Sequence, residues 1–149
     1  MKILTQSETE SVRRMFERAA SRFDAGERVA HRTDSLQGEF DSNFEGVIAG
    51  IHSVVEGHIL ATTGMRRKVD EASAPTLIAS VVTDLNRHHV PGVPPLVRLT
   101  NLNGRRNASA HQGDWLDVID QDALEDAVIA GRALMKAVRA HLQQQGVKL

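Results

Sequence analysis

The stretch FDSNFEGVIAGIHSVVEGHI, residues 40–59, decides the fold class, because it holds the most continuous apolar stripe of the chain. Its large apolar residues recur every three or four positions and so share one face of an α-helix: Phe40, Phe44, Val47, Ile48, Ile51, Val54, Val55 and Ile59. Asp34 or Ser35 is a suitable N-cap, and Gly64 is a suitable C-terminal stop. We therefore predict a long helix from that cap to about Thr63.

A line of small residues runs beside that stripe: Gly46, Gly50, Ser53 and Gly57. A glycine inside a helix costs roughly 1 kcal/mol relative to alanine, so three glycines on one line indicate a compensating gain. The close approach of another helix backbone would supply that gain. The second helix belongs either to the core of the same chain or to a dimer seam, and the sequence leaves both open.

Helical spacing also predicts a helix near the N-terminus and another in the middle of the chain. The N-terminal helix starts after Ser7, which has the capping-box spacing to Glu10, and stops at Gly26. Its apolar face is formed by five residues: Val12, Met15, Phe16, Ala19 and Phe23. The central helix extends from about Ser73 to His88.

Beyond these helices, the sequence PGVPP breaks the helical pattern, since proline excludes helix continuation. A short helix then follows with three leucines on one face: Leu96, Leu99 and Leu102. Asn103-Gly104 either caps a new helix or bends the same one. The last helix runs from Asp120 or Asp122 to Gln145. No segment alternates as a strand does, so we predict an all-α helical bundle of about four to five main helices.

Composition restricts the class of protein further. The 149 residues are long enough for one domain, residues 1–149, and they include no cysteine, which excludes thiolate catalysis, cysteine-based zinc sites and disulfides. The N-terminus lacks the apolar core of a signal peptide, and no segment approaches the roughly 18 apolar residues of a membrane span. We therefore expect a cytoplasmic protein with no membrane contact.

Charge is sorted along the chain although the net charge is only −1. Residues 86–113 contain no Asp or Glu and hold seven basic or titratable side chains: Arg87, His88, His89, Arg98, Arg105, Arg106 and His111. An acidic run follows directly, without Lys or Arg: Asp114, Asp117, Asp120, Asp122, Glu125 and Asp126. Such local sorting of charge can influence which partners a protein binds more than its net charge does. The acidic run either favours the N-terminus of the last helix or docks a basic partner.

Within the acid-free window lies the sequence Arg106-Asn107-Ala108-Ser109-Ala110-His111. On a helix Asn107 and His111 are four residues apart and share a face. Arg106 is five residues from His111, about 140° around the helix axis. The arginine and histidine therefore converge only if Arg106 lies in an irregular first turn, if its side chain bends back, or if a second protomer supplies one of them.

These residue types suit the cleavage of RNA without metal or cofactor. Histidine titrates near neutrality and acts as a general base, and arginine offers a planar donor fork to phosphate oxygens. If Asn103 caps a helix, the positive pole of that helix would attract phosphate and keep His111 neutral. His111 would then take the proton of a 2′-hydroxyl, the group that distinguishes RNA from DNA. Arg98, Arg105 and the small Ser109 are the candidate RNA contacts.

Arg106-Asn107-x-x-x-His111, late in an all-α chain, resembles the R-x(4–6)-H motif of HEPN domains (higher eukaryotes and prokaryotes nucleotide-binding). HEPN domains are helical bundles that commonly form homodimers, with two such motifs across a shared cleft. Many are metal-independent endoribonucleases of toxin–antitoxin, abortive-infection or CRISPR-associated defence systems. The resemblance implies that Arg106 and His111 form the catalytic pair and that Asn107 is the polar residue that often follows the arginine.

One position departs from part of that family. Members that pair with a minimal nucleotidyltransferase antitoxin typically carry a tyrosine two residues after the histidine, where this chain has Gly113. Regulation by nucleotide transfer to that tyrosine is therefore not expected. An antitoxin or a defence-complex partner of another kind stays open.

The other histidines are expected to be structural, and no metal site is predicted. His88 and His89 point about 100° apart on a helix and do not share a metal easily. His52 and Glu56 are four residues apart with no third ligand at matching spacing, which favours an exposed helix contact. His58 lies near the core stripe and is expected to be a buried histidine with satisfied hydrogen bonds.

Three functions of different classes follow from the sequence. The first is a dimeric metal-independent endoribonuclease, and the second is a non-catalytic HEPN module that binds RNA or nucleotides or scaffolds a defence complex. The third is a helical interaction protein whose motif is a coincidence. For the first, we expect a dimer seam near Ser109 or Ala110, with the Gly46–Gly57 line as a further contact. The basic cluster at residues 66–68 either extends an RNA path or is a solvated helix end.

Overall fold

A computed structural model describes residues 3–64, 73–112 and 119–149, with the side chains of residues 106–112 excluded. These ranges contain five α-helices and no strand: α1 Gln6–His31, α2 Gln37–Thr63, α3 Ala74–Arg87, α4 Leu96–Gln112 and α5 Gln121–Gln144. The prediction of an all-α architecture is confirmed. None of the described helices combines the length and apolar character that crossing a membrane requires.

Helices α1, α2 and α5 pack against one another around Phe23, whose ring is fully buried. A Cβ atom added at Gly50 of α2 would lie 2.9 Å from that ring, and one added at Gly131 of α5 would lie 2.5 Å from it. Both distances are too short for carbon atoms that are not bonded. The two glycines therefore create the space that the phenylalanine fills.

The same contacts explain the line of small residues on α2. Gly57 lies against Phe16 of α1, where an added Cβ would be 3.2 Å from the ring. Gly50 and Gly57 thus serve packing within the chain, which is the first of the two alternatives that the sequence leaves open. At Gly46 an added Cβ would meet no atom of the described residues within 4 Å.

Helix α1 begins earlier and ends later than its sequence predicts. Its N-cap is Thr5, whose hydroxyl accepts a hydrogen bond of 3.1 Å from the Glu8 N–H, so the prediction of Ser7 is wrong. The predicted stop at Gly26 is also wrong, because the helix continues to His31. Gly26 is buried, and an added Cβ would lie 2.7 Å from Val47 and 3.0 Å from a second valine, Val128. Its missing side chain allows close packing and does not end the helix.

The ends of α2 confirm one prediction and correct another. Gly64 adopts a left-handed conformation with φ of 69°, and its N–H donates to the Leu60 carbonyl at 2.9 Å, as expected for a C-terminal stop. The N-cap is Leu36 and neither Asp34 nor Ser35. The Ser35 hydroxyl instead donates to the Val29 carbonyl at 2.8 Å and so holds the connection to α1.

Two further helix starts are as predicted. The Ser73 hydroxyl accepts from the Thr76 N–H at 3.4 Å and caps α3. Asp120, one of the two predicted caps of α5, accepts from the Ala123 N–H at 2.8 Å. Part of the acidic run therefore serves the N-terminus of the last helix.

Helix α4 passes through Asn103-Gly104 without a break, so no new helix starts there. The idea that Asn103 caps a helix is wrong. Its side chain is buried, and its Oδ1 lies 2.8 Å from Nε2 of His52 on α2. A cap would have to turn that oxygen toward the next backbone N–H groups. The bond to His52 fixes α4 to α2 instead.

Candidate functional site

The predicted motif lies in the C-terminal half of α4. Arg106 is the eleventh residue of the helix, so the irregular first turn that would bring it toward His111 does not exist. The helix pole proposed to keep His111 neutral is absent for the same reason, since Asn103 does not start a helix. The side chains of Arg106, Asn107, Ser109 and His111 lie outside the described residues.

Three contacts hold the first half of α4 in place. Leu99 and Leu102 are buried in the core, and Asn103 bonds to His52. The guanidinium of Arg98 forms an ion pair with the Asp126 carboxylate of α5 and donates to the Asp126 backbone carbonyl at 3.3 Å. The predicted RNA contact Arg98 is thus engaged in an interhelical ion pair. Arg105, the other predicted arginine, is half-buried.

A second group of polar side chains, which we call the histidine cluster, comprises His58, Asp84, His88 and His141. His58 comes from α2, Asp84 from α3 and His141 from α5. Nε2 of His58 lies 3.3 Å from Nδ1 of His141 and 3.3 Å from Oδ2 of Asp84. The ligating atoms of these three residues all lie within 4.8 Å of one another.

His88, the C-cap residue of α3, covers one side of the histidine cluster. Its ring centroid is 4.6 Å from that of His141, and its Nδ1 is 2.9 Å from the Asp84 backbone carbonyl. Arg87 approaches the other carboxylate oxygen of Asp84, with Nη1 at 3.8 Å from Oδ1. Hydrogen-bond donors therefore lie close to both carboxylate oxygens of Asp84.

Burial keeps the two inner histidines uncharged. His58 and His141 are each 2% exposed. Desolvation lowers the pKa of His58 to about 4, against the opposing attraction of Asp84. Desolvation lowers the pKa of His141 as well, although Asp84 opposes this too. At neutral pH both imidazoles are neutral, so each presents a nitrogen lone pair.

The histidine cluster does not satisfy its own hydrogen bonds. Nδ1 of His58 and Nε2 of His141 are buried and have no hydrogen-bond partner among the described residues. A buried polar atom without a partner costs about 1–3 kcal/mol and calls for an explanation such as an ion or a functional role. The expectation that His58 is buried is confirmed. The expectation that its hydrogen bonds are satisfied is wrong for Nδ1, one of its two ring nitrogens.

A cavity of about 350 Å³ opens beside the histidine cluster, and His58 and Asp84 form part of its wall. The other polar residues that line it come from α2 and α3: Thr62, Thr63, Thr76, Ser80 and Arg87. The cluster is thus buried at its centre and reachable from one side. Such a partly open polar site can admit a small ligand or an ion.

Sequence reasoning missed the histidine cluster because its members are far apart in the chain. His58 and His141 are separated by 83 positions, and neither forms a local motif with Asp84. One signal was present: each histidine shares a helix face with apolar residues three and four positions earlier, His58 with Val54 and Val55, and His141 with Ala137 and Val138. His52 also differs from its prediction, since it is half-buried and bonds to Asn103.

No protein-family model, curated protein or solved structure matches the chain. The motif of α4 and the histidine cluster are therefore the two candidate sites of the chain.

Proposed function

We propose that the protein is a metal-independent endoribonuclease whose active site combines Arg106 of one copy with His111 of a second copy. The observation that carries this proposal is the unbroken helix α4, which holds both residues of the motif in one helical segment after an acid-free stretch of sequence. Asn107 and His111 are one turn apart on that helix. By resemblance to HEPN domains, the cellular role would be that of a toxin or another defence ribonuclease.

The angle between the two motif residues favours a site shared by two chains. Arg106 and His111 stand five residues apart on the continuous helix α4. Position 111 is about 140° away around the same helix. A second copy with its α4 beside the first would bring an arginine from one chain to a histidine of the other. HEPN domains, which the motif resembles, dimerise in this general manner.

The reaction would be an internal transesterification. Neutral His111 takes the proton of a ribose 2′-hydroxyl, and the 2′-oxygen forms a bond to the adjacent phosphorus. Arg106 donates to the phosphoryl oxygens as charge develops on them. The bond from phosphorus to the 5′-oxygen breaks, and that oxygen takes a proton from the imidazolium. The products are a 2′,3′-cyclic phosphate end and a 5′-hydroxyl end, and no metal or cofactor is consumed.

A cleavage assay tests the proposal. Untagged protein is incubated with labelled RNA in EDTA, together with Arg106→Ala, His111→Ala and the control His31→Gln, an exposed histidine at the end of α1. We expect cyclic-phosphate products from wild type and control and none from the two motif variants. Cleavage that survives both alanine substitutions would refute the site. RNA binding without cleavage would favour the alternative, a non-catalytic HEPN module that binds RNA or nucleotides or scaffolds a defence complex.

Mixing the two inactive variants tests the shared site. In a dimer of Arg106→Ala with His111→Ala, one site lacks both residues and the other site keeps both. An equal mixture that exchanges subunits should regain about one quarter of wild-type activity, because half of the dimers are mixed and each has one of two sites. If each chain used its own pair, no mixed dimer would be active. No recovery after proven exchange would contradict the shared site.

A further inference from the structure

We propose that His58, Asp84 and His141 bind a divalent transition-metal ion, with Zn²⁺ preferred, and leave one coordination position open toward the neighbouring cavity. This site shares no residue with the motif of α4, and it does not depend on the proposed ribonuclease activity. It goes beyond that function, since the proposed cleavage needs no metal.

The spacing of the three side chains fits a tetrahedral ion. With Zn–N distances of about 2.0–2.1 Å, two ligands of a tetrahedral zinc ion lie about 3.3–3.4 Å apart. Nε2 of His58 is 3.3 Å from Nδ1 of His141 and 3.3 Å from Oδ2 of Asp84. Two of the three ligand separations therefore already match those of a tetrahedral ion. The ligand atoms of the third pair, His141 and Asp84, also lie within 4.8 Å of each other.

The donor set selects the kind of metal. Two imidazoles and one carboxylate suit Zn²⁺ and related first-row ions, whereas Ca²⁺ and Mg²⁺ prefer oxygen ligands alone. Each of the two imidazoles would bind the ion through an unprotonated ring nitrogen. The carboxylate of Asp84 provides the negative charge that offsets part of the charge of the ion.

The outer ring nitrogens set the expected affinity. An ion between the rings would be bound by Nε2 of His58 and Nδ1 of His141. The other two nitrogens, Nδ1 of His58 and Nε2 of His141, are buried and have no hydrogen-bond partner among the described residues. Histidine ligands usually donate their outer N–H to a partner, and loss of such a partner costs about 10–100-fold in affinity. We thus expect binding weaker by about that factor than at a site with a complete second shell.

The cavity supplies the entry path and the open position. His58 and Asp84 line the cavity, whereas His141 does not. An ion bound by all three residues would therefore lie at the cavity wall, with His141 on the far side of it. Three protein ligands with an open fourth position are the arrangement of zinc sites that hold water or a small ligand. The hydroxyl groups of Thr62 and Ser80 in the cavity wall could hydrogen-bond to such a molecule.

Metal binding by the untagged full-length protein tests the proposal. The protein is stripped with EDTA, dialysed against Zn²⁺ or Co²⁺, and analysed by elemental analysis, titration calorimetry and visible absorption. We expect one ion per chain and the intense visible bands of four-coordinate Co²⁺. Asp84→Asn and His58→Gln should each weaken binding by more than about 100-fold, since losing a ligand costs more than losing a second-shell partner. The control His31→Gln, which changes a histidine outside the histidine cluster, should bind like wild type.

Two results would overturn the proposal. One is wild-type binding no stronger than that of folded Asp84→Asn, which would indicate adventitious binding to surface histidines. The other is a Co²⁺ complex whose spectrum is unchanged by Asp84→Asn and by His141→Gln. Circular dichroism of each variant identifies any that fails to fold. If His58→Gln fails to fold, His141→Gln takes its place as the ligand variant. None of these readouts uses RNA, so failure of the metal site and failure of the ribonuclease are distinguishable.

Discussion

The C-terminal half of α4 and the histidine cluster differ in how their residues come together. The α4 motif is contiguous in sequence and lies on one helix, so its residues are neighbours before the chain folds. The histidine cluster takes residues from α2, α3 and α5, and only the packing of these helices unites them. The first kind of site is visible as a pattern, whereas the second exists only in the folded bundle. A change that loosens the bundle should therefore damage the cluster before it damages the motif.

The two regions also differ in electrostatics. The α4 motif follows a stretch without acidic residues and suits a polyanion. The centre of the histidine cluster holds two buried, neutral imidazoles beside the half-buried carboxylate of Asp84, which suits a cation. One chain would thus hold an anion site and a cation site, and each prediction below acts on one of them.

The largest expected effect belongs to the α4 motif. His111→Ala should lower the rate of RNA cleavage by about 10²–10⁴-fold, the usual contribution of a general base. A catalytic role predicts that its unfolding temperature stays close to that of wild type. Single-turnover cleavage and thermal unfolding of the same sample measure the two quantities. A similar loss of activity with a large loss of stability would contradict a catalytic role.

The second effect concerns the stability of the histidine cluster against acid. In EDTA, the unfolded chain protonates His58 near its ordinary pKa of 6.5, whereas in the folded state burial lowers that pKa to about 4. Stability should therefore fall as the pH drops through this window, by about 3 kcal/mol from His58 alone. The lowered pKa of His141 acts in the same direction.

Urea unfolding of wild type and His58→Gln at several pH values checks this sign. The variant lacks the imidazole of His58, so its free energy of unfolding should decline less over the same window. If the free energy of unfolding changed equally with pH in the two proteins, His58 would already be protonated in the folded state or accessible to water.

A third effect is the stabilisation of the bundle by metal. If Zn²⁺ binds only the folded chain, a free concentration of 100 times the dissociation constant should raise the free energy of unfolding by about 2.7 kcal/mol. Asp84→Asn should show no such increase, because it lacks the carboxylate ligand. Unfolding by urea with and without Zn²⁺ measures the difference. An equal increase in both proteins would locate the bound ion elsewhere.

The smallest effect should come from the bond between α2 and α4. His52→Ala removes the donor to the buried Asn103 and should cost about 1–2 kcal/mol of stability. Because this bond holds α4 three residues before the motif, RNA cleavage should fall by only a few-fold. His52→Gln retains a donor and is the matched control. An effect of His52→Ala as large as that of His111→Ala would mean that His52 itself takes part in cleavage.

The sequence predicted the helices well where the signal was local. Ser73, Gly64 and Asp120 mark helix ends through bonds to residues three or four positions away, and all three were predicted. Gly26 and Asn103 are also residue types that commonly end or begin helices. In the folded chain, however, Gly26 packs against Val47 of α2, and Asn103 forms a hydrogen bond with His52. Local patterns do not contain that information.

The same limit applies to the sites. His58 and His141 each look like an ordinary histidine on an apolar helix face, because their meeting depends on how α2 and α5 are aligned. The α4 motif needed no such alignment to be found. The proposed pairing across two copies, however, would depend on a contact between chains, and a single sequence does not define that contact.

The most direct test of two separate sites measures zinc content and RNA cleavage on one sample. Untagged protein is loaded with Zn²⁺, one half is stripped with EDTA, and both halves are assayed with labelled RNA. We predict that the stripped half loses one equivalent of zinc per chain and cleaves RNA at an unchanged rate. Cleavage that disappears together with the metal, or a loaded sample that contains no bound zinc, would contradict the account.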